Sequence, residues 1–238
     1  MKYQHWSKIS TNPINPKVVQ FVQTHLDSLH IGPRPSDEIF FEKYVKQKSV
    51  LDIGVVEHDI SFINRPGWKH KTLKDLASKI VGIDVVKSGV DYLVKQGFDV
   101  RLCDATSDED IGERFDTVYI GDVIEHVNDP VKLLKFASRH TNKDGQIVVT
   151  TPCPFWWRNL VLMIKSKTYI GNVDHTCWIT PVNALEIGSR AGLDLDHYYT
   201  VETVGNSILK KPLKWALELI LGRSEIFTWA YAYVYKKQ

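Results

Sequence analysis

Between Ser49 and Pro152, short apolar segments alternate with amphipathic ones, and that alternation leaves few folds open. "SVLDIG" (49–54), "KIVGID" (79–84), "FDVRLCD" (98–104), "FDTVYIGD" (115–122) and "GQIVVTTP" (145–152) read as buried strands. Helix patterns lie between them: one near 71–78, "SGVDYLVKQG" closed by Gly97, and "DPVKLLKFASRH" with Pro130 at its first position. Strands separated by helices form a parallel, doubly wound α/β sheet with right-handed crossovers. Ligands of such sheets bind outside the carboxyl ends of the strands, near the switch point of strand order.

The flanking regions carry different patterns. Residues 1–48 read as helical: Val18, Val19, Val22 and Leu26 make one stripe, and Ser36 caps a helix with acids in its first turn. After Pro152, "CPFWWRNLVLMIKSK" is aromatic and apolar, and "TYIGNVDHTCW" reads as loop. "TPVNALEIGSRAG" is a helix with Thr180 as cap, Pro181 at N1 and Gly192 just past its end. "LDLDHYYTVETV" and "IFTWAYAYVYKK" look like strands flanking the basic, amphipathic "PLKWALELILG".

Composition excludes several classes. The chain has 238 residues, enough for one large domain, and its net charge of +2 is too mild for a dedicated nucleic-acid binder. Cys103, Cys153 and Cys177 show no metal-ligand spacing and are odd in number, which argues against a disulfide framework and for a reducing, cytoplasmic setting. The N-terminal residues lack the apolar core of a secretory signal, and no run approaches the roughly 18 apolar residues of a membrane span.

The first three strands end in or beside Asp52, Asp84 and Asp104. A carboxylate at the second strand end suits the cis-diol of a ribose, and Asp104 is placed for an adenine amino group. The plainer reading is that each aspartate caps a local turn. "VLDIGVVEHD" resembles a nucleotide loop but keeps only Gly54; Val55, Val56, Glu57 and His58 stand where further glycines are usual. A dinucleotide site needs those glycines to bring a helix N-terminus against a pyrophosphate.

"VLDIG", "GID", "CDA", "FDTVYIGDVIEHV", "DPVKLLKFASRHTNKDGQIVVTTP" and "AGL" occur in the order of the class I S-adenosylmethionine-dependent methyltransferases. Over residues 48–204 the chain resembles the branch that holds ubiquinone-biosynthesis and bacterial glycan O-methyltransferases. The resemblance implies a Rossmann-like, seven-stranded sheet whose last strand is antiparallel and lies beside the fifth. It implies S-adenosyl-L-methionine as cofactor, held by Asp52, Gly54, Asp84, Val85, Asp104, Ala105 and Gly121. This cofactor has no phosphate, so the missing glycines argue against NAD more than against the site.

"GDVIEHVND" follows the fourth strand, and a helical turn there would put Asp122, Glu125 and His126 on one face. With His175 of "VDHTCW", this cluster looks like the metal centre of small-RNA 2′-O-methyltransferases, except that Asp122 stands where that family has Glu. Three readings stay open. Asp122, Glu125, His126 and His175 hold Mg2+ or Mn2+; or His175 or His126 is a metal-free base oriented by Asp174 or Glu125; or Glu125 and His126 only cap a helix.

The chain is thus expected to be one domain: N-terminal helices (1–48), a cofactor core (49–152), then C-terminal strands and an acceptor cap from 153–180 and 205–225. Trp156, Trp157 and Trp178 surround the acceptor entrance in this reading. The expected reaction is O-methylation of a hydroxyl, with a sugar of a polysaccharide or glycosylated metabolite as leading acceptor. A small aromatic or quinone hydroxyl and an RNA 3′ end are runners-up, and a non-catalytic cofactor-binding scaffold is the reading from another class. Peripheral membrane contact through "KKPLKWALELILGR" and homodimer formation are further expectations.

Overall fold

The computed structural model describes residues 3–63, 65–169, 171–202 and 225–238. In chain order the elements are α1 (Pro16–Leu29), β1 (His30–Pro33), α2 (Asp37–Tyr44), β2 (Ser49–Ile53), α3 (Ile60–Ile63), α4 (Lys69–Leu76), β3 (Lys79–Asp84), α5 (Lys87–Lys95), β4 (Val100–Leu102), β5 (Phe115–Gly121), α6 (Pro130–Arg139), β6 (Thr141–Pro152), α7 (Trp157–Ser166), α8 (Pro181–Arg190), β7 (Leu193–Glu202) and β8 (Thr228–Lys237).

The eight strands form one sheet in the order β1-β7-β8-β6-β5-β2-β3-β4. Strand β8 runs antiparallel to both β6 and β7, whereas the pairs β5–β6, β2–β5, β2–β3, β3–β4 and β1–β7 are parallel. The expected antiparallel strand beside the fifth core strand is therefore present. The count differs: His30–Pro33, inside the segment expected to be helical, adds an eighth strand on the edge of β7. Helix α1 stops at Leu29, and Gly32 (φ +100°) and Pro33 then keep the chain out of a helix.

Helix termini follow the sequence closely. Asp129 caps α6 with Pro130 at its first position, and Thr180 and Asn183 make a reciprocal capping box on α8. Gly192 has φ +75° beyond α8. The third core strand is shorter than 98–104, because only Val100–Leu102 pairs with β3.

Two features position the site. Strand β2 lies between β5 and β3, so its carboxyl end opens the crevice where strand order switches. On β8, the fully buried rings of Tyr231, Tyr233 and Tyr235 share one face. Tyr233 donates to the Ile179 carbonyl (2.8 Å) and Tyr235 to that of Ala184 (3.0 Å), which ties down the segment running from His175 into α8. The segment "KKPLKWALELILGR" and the 205–224 part of the expected cap lie outside the described residues.

Candidate methyl-transfer site

The loop after β2 is packed rather than open. Val55 and Val56 are buried with Trp68, Val90, Leu93 and Val100. Both press on glycines of the neighbouring elements: a Cβ on Gly89 of α5 would clash with Val56, and one on Gly82 of β3 would lie 2.9 Å from Val55 Cγ1. The small residues that let chain segments approach have moved from the loop to its partners. Gly54 has φ +87°, and a Cβ there would collide with Val123, so this glycine is required. Glu57 and His58 hold φ values of +52° and +73°, so the backbone keeps a left-handed shape with side chains present. The Glu57 carboxylate accepts from the Lys69 N–H at the start of α4, and Trp68 Nε1 donates to the Val55 carbonyl (2.9 Å). These bonds hold the shape that glycines hold more cheaply.

The strand-end acids divide into three roles. Asp84 is buried at the end of β3; its Oδ2 accepts from Val56 N and its Oδ1 from Val86 N, both at 2.9 Å. A carboxylate has about four lone-pair positions, so two remain beyond these bonds. Val85 beside it is 64% exposed. Asp104 closes a local turn, its Oδ1 accepting from Thr106 N and Thr106 Oγ1 at 2.7 Å, while Ala105 beside it is buried. The plainer reading therefore holds for that oxygen of Asp104.

Asp52 is buried, and its Oδ2 meets His70 Nδ1 at 2.8 Å, so one of its oxygens is engaged within the protein. Burial raises its pKa, and the His70 hydrogen bond opposes that shift. Gly121 ends β5 above the Tyr119 ring, where a Cβ would meet Tyr119 Cε1 at 2.6 Å.

After β5 the chain makes a single turn, His126 N–H donating to the Val123 carbonyl at 2.9 Å, and Asp122 stands outside it. Asp122 has φ +55°, and its Oδ1 accepts from Thr150 Oγ1 at 3.3 Å. That backbone turn separates Asp122 from Glu125, His126 and His175, each of which offers a ligand atom within 4.8 Å of the others. Asp122 is thus absent from the cluster it was expected to join. Glu125 is buried with Thr151 Oγ1 on its Oε2 (3.0 Å), and burial, reinforced by the Asp122 charge, pushes its pKa up to about 8. Thr176 binds the Glu125 and Val127 carbonyls and so seats the 172–178 loop on this turn.

His126 Nδ1 lies 3.0 Å from Asp174 Oδ2, and its ring meets His175 edge-on at 4.7 Å. Burial, then the neighbouring His126, holds His175 below its ordinary pKa, and no described partner meets its buried Nδ1. Trp178 packs edge-on against His175 at 5.3 Å and Tyr169 lies 5.9 Å from Trp178, so aromatic walls flank the histidines. Trp156 and Trp157 stand at the start of α7, 6.4 Å from one another.

Three residues here carry no local sequence signal. His58, standing at a usual glycine position, touches the His126 ring at 5.0 Å. Arg34 follows β1, donates to Asp37 (2.5 Å), lies over Phe40, and has a buried Nε that no described acceptor meets. Lys69 shares Asp37 (3.1 Å), and the charges of Lys69 and Arg34 both reach Asp122 at the end of β5. Only the fold brings Arg34 from the N-terminal extension to this edge.

A methyltransferase-domain family model matches residues 37–199. The chain is 24% identical over 159 residues to the ubiquinone biosynthesis O-methyltransferase of Aeromonas salmonicida, covering 61% of this chain and 63% of that protein. It is also 24% identical over 200 residues to the tRNA U34 carboxymethyltransferase of Campylobacter jejuni, covering 75% of this chain and 65% of that one. The chain thus spans somewhat less than two thirds of the length of these curated relatives. A solved S-adenosylmethionine-dependent methyltransferase from Archaeoglobus fulgidus superposes with a TM-score of 0.56 at 17% identity, covering 92% of this chain and 94% of that one. By the family match, and with a fold shared with such enzymes, the chain belongs to the methyltransferase-domain family.

Proposed function

We propose that the chain transfers the methyl group of S-adenosylmethionine to a hydroxyl oxygen of a ring-shaped small molecule or glycan unit. The observation that carries this reading is the His126–His175 pair at the carboxyl edge of the sheet, with Asp174 on one ring and a free, buried nitrogen on the other. A hydroxyl is a weak nucleophile and needs a base, whereas the sulfonium donor supplies an already activated methyl group.

In this reading Asp84 holds the ribose through its two remaining lone-pair positions, and Val85 covers the base. Arg34 and Lys69, whose charges both reach Asp122 at the end of β5, meet the methionine carboxylate. Gly54 lets the chain pass close beneath the donor. His175, kept neutral by burial, takes the hydroxyl proton on its imidazole as the O–CH3 bond forms and the S–CH3 bond breaks; the sulfur keeps the electron pair. Asp174 fixes the orientation of His126 behind it. Most of the acceleration then comes from positioning the two reactants. Tyr169, Trp178 and His175 offer flat faces to a sugar or phenol ring. The Aeromonas relative, named as an O-methyltransferase, supports the choice of oxygen.

A second reading rests on the mutual 4.8 Å spacing of ligand atoms from Glu125, His126 and His175. These residues fit a divalent ion, and a set with two imidazoles favours Mn2+ over Mg2+. Such an ion would polarise the acceptor hydroxyl and neutralise Glu125.

The test is release of S-adenosylhomocysteine with a panel of sugars, phenols and unmodified tRNA, with EDTA or Mn2+ present. Turnover on a hydroxyl acceptor that survives EDTA supports the histidine base; turnover restored only by Mn2+ supports the second reading. Turnover confined to tRNA would overturn the small-acceptor reading.

A further inference from the structure

Helix α7 presents its apolar side to solvent. None of its ten residues is buried. Trp157, Val161 and Ile164, spaced as one helical stripe, are 43%, 38% and 76% exposed, and Leu162 and Met163 are 50% and 44% exposed. Phe155 just before the helix is exposed as well. The cations Arg158 and Lys165 lie together along one flank of that stripe, followed by Lys167. No acidic residue occurs between Asp144 and Asp174. An apolar stripe beside a cluster of cations, free of acids, is the composition of a helix lying in the interface of an anionic bilayer. A second copy of the chain fits less well, since a symmetric contact would bring the same cations together.

We propose that α7 seats the protein on an anionic lipid surface, so that acceptors carried by the bilayer reach the site directly. Tyr169, three residues past the end of α7, packs 5.9 Å from Trp178, which in turn meets His175, so the docked helix is tied to the aromatic wall of the site. The part of this proposal that concerns the acceptor rests on the methyl-transfer reading; the docking itself does not.

The experiment is co-flotation of the full chain with vesicles of phosphatidylcholine alone, or of phosphatidylcholine mixed with phosphatidylglycerol. The protein is expected to float with the mixed vesicles, and at least ~10-fold less with phosphatidylcholine alone or in high salt. A Val161→Asp/Ile164→Asp variant is expected to lose at least ~10-fold of that partition, because both changes put charge on the inserted stripe. Binding of S-adenosylhomocysteine by this variant, measured in parallel, shows that it folds and separates failure of docking from failure of the methyl-transfer reading. Protein that stays in solution beside mixed vesicles would overturn the proposal. So would a variant that floats like the wild type, or a wild-type dimer that the variant dissolves while neither floats.

Discussion

Val56 rests on the α-carbon of Gly89, so closely that a β-carbon at Gly89 would clash with its side chain. The loop without the usual glycines and the helix that carries Gly89 are therefore a single packing unit. Gly89→Ala would gain about 1 kcal/mol of helix propensity, yet the clash with a fully buried valine costs more. The variant is expected to be destabilised by ~1–3 kcal/mol in urea unfolding. Adding Val56→Ala is expected to recover part of that loss, because the two positions couple directly. Additive losses would show that the contact does not set the packing.

Burial, then the Asp122 charge, pushes the Glu125 carboxyl up to about 8 in the folded chain, from the 4.5 ordinary for a glutamate. Between these values the folded state holds a proton that the unfolded chain has released. Stability of the metal-free protein therefore falls as pH rises through this window, by at most about 5 kcal/mol. Glu125→Gln is expected to flatten the slope between about pH 5 and 8 and to be the more stable form at the alkaline end. Urea unfolding across that range in EDTA checks both. An unchanged slope in the variant would assign the effect to another group.

His175 is expected to be neutral and ready to accept a proton at pH 7, since burial and His126 both lower its pKa. Replacing it with Ala should reduce kcat by ~10²–10⁴-fold while leaving donor affinity unchanged. The acidic limb of the wild-type kcat/KM profile should lie below pH 6.5, the ordinary histidine value, and disappear in the variant. A variant with normal kcat, or one that fails only in donor binding, would remove His175 from the proton step.

The sheet was legible because its strands and helices differ in period, and the helix caps were legible because Asp129, Pro130, Thr180 and Pro181 act within a few residues. Strand β1 was not: four residues including Gly32 and Pro33 carry no pattern, and only the free edge of β7 makes them a strand. The Asp52–His70 contact was not legible either, because His70 lies in another element and no local pattern in "VLDIG" announces it. Asp122 misled because a helical turn was assumed where the backbone turns left-handed. The joining of His126 with His175 was readable from the fold family, whereas the approach of Arg34 and His58 depends on loop packing alone.

In the proposed reading, a loop without the usual glycines still forms a donor pocket, and Arg34 completes it. Isothermal titration of the folded chain with S-adenosylmethionine and S-adenosylhomocysteine tests it most directly. Both are expected to bind at one site per chain, and Arg34→Ala is expected to weaken each by ~10-fold or more, the loss of a charged hydrogen bond. A folded wild-type chain that binds neither ligand would contradict the account.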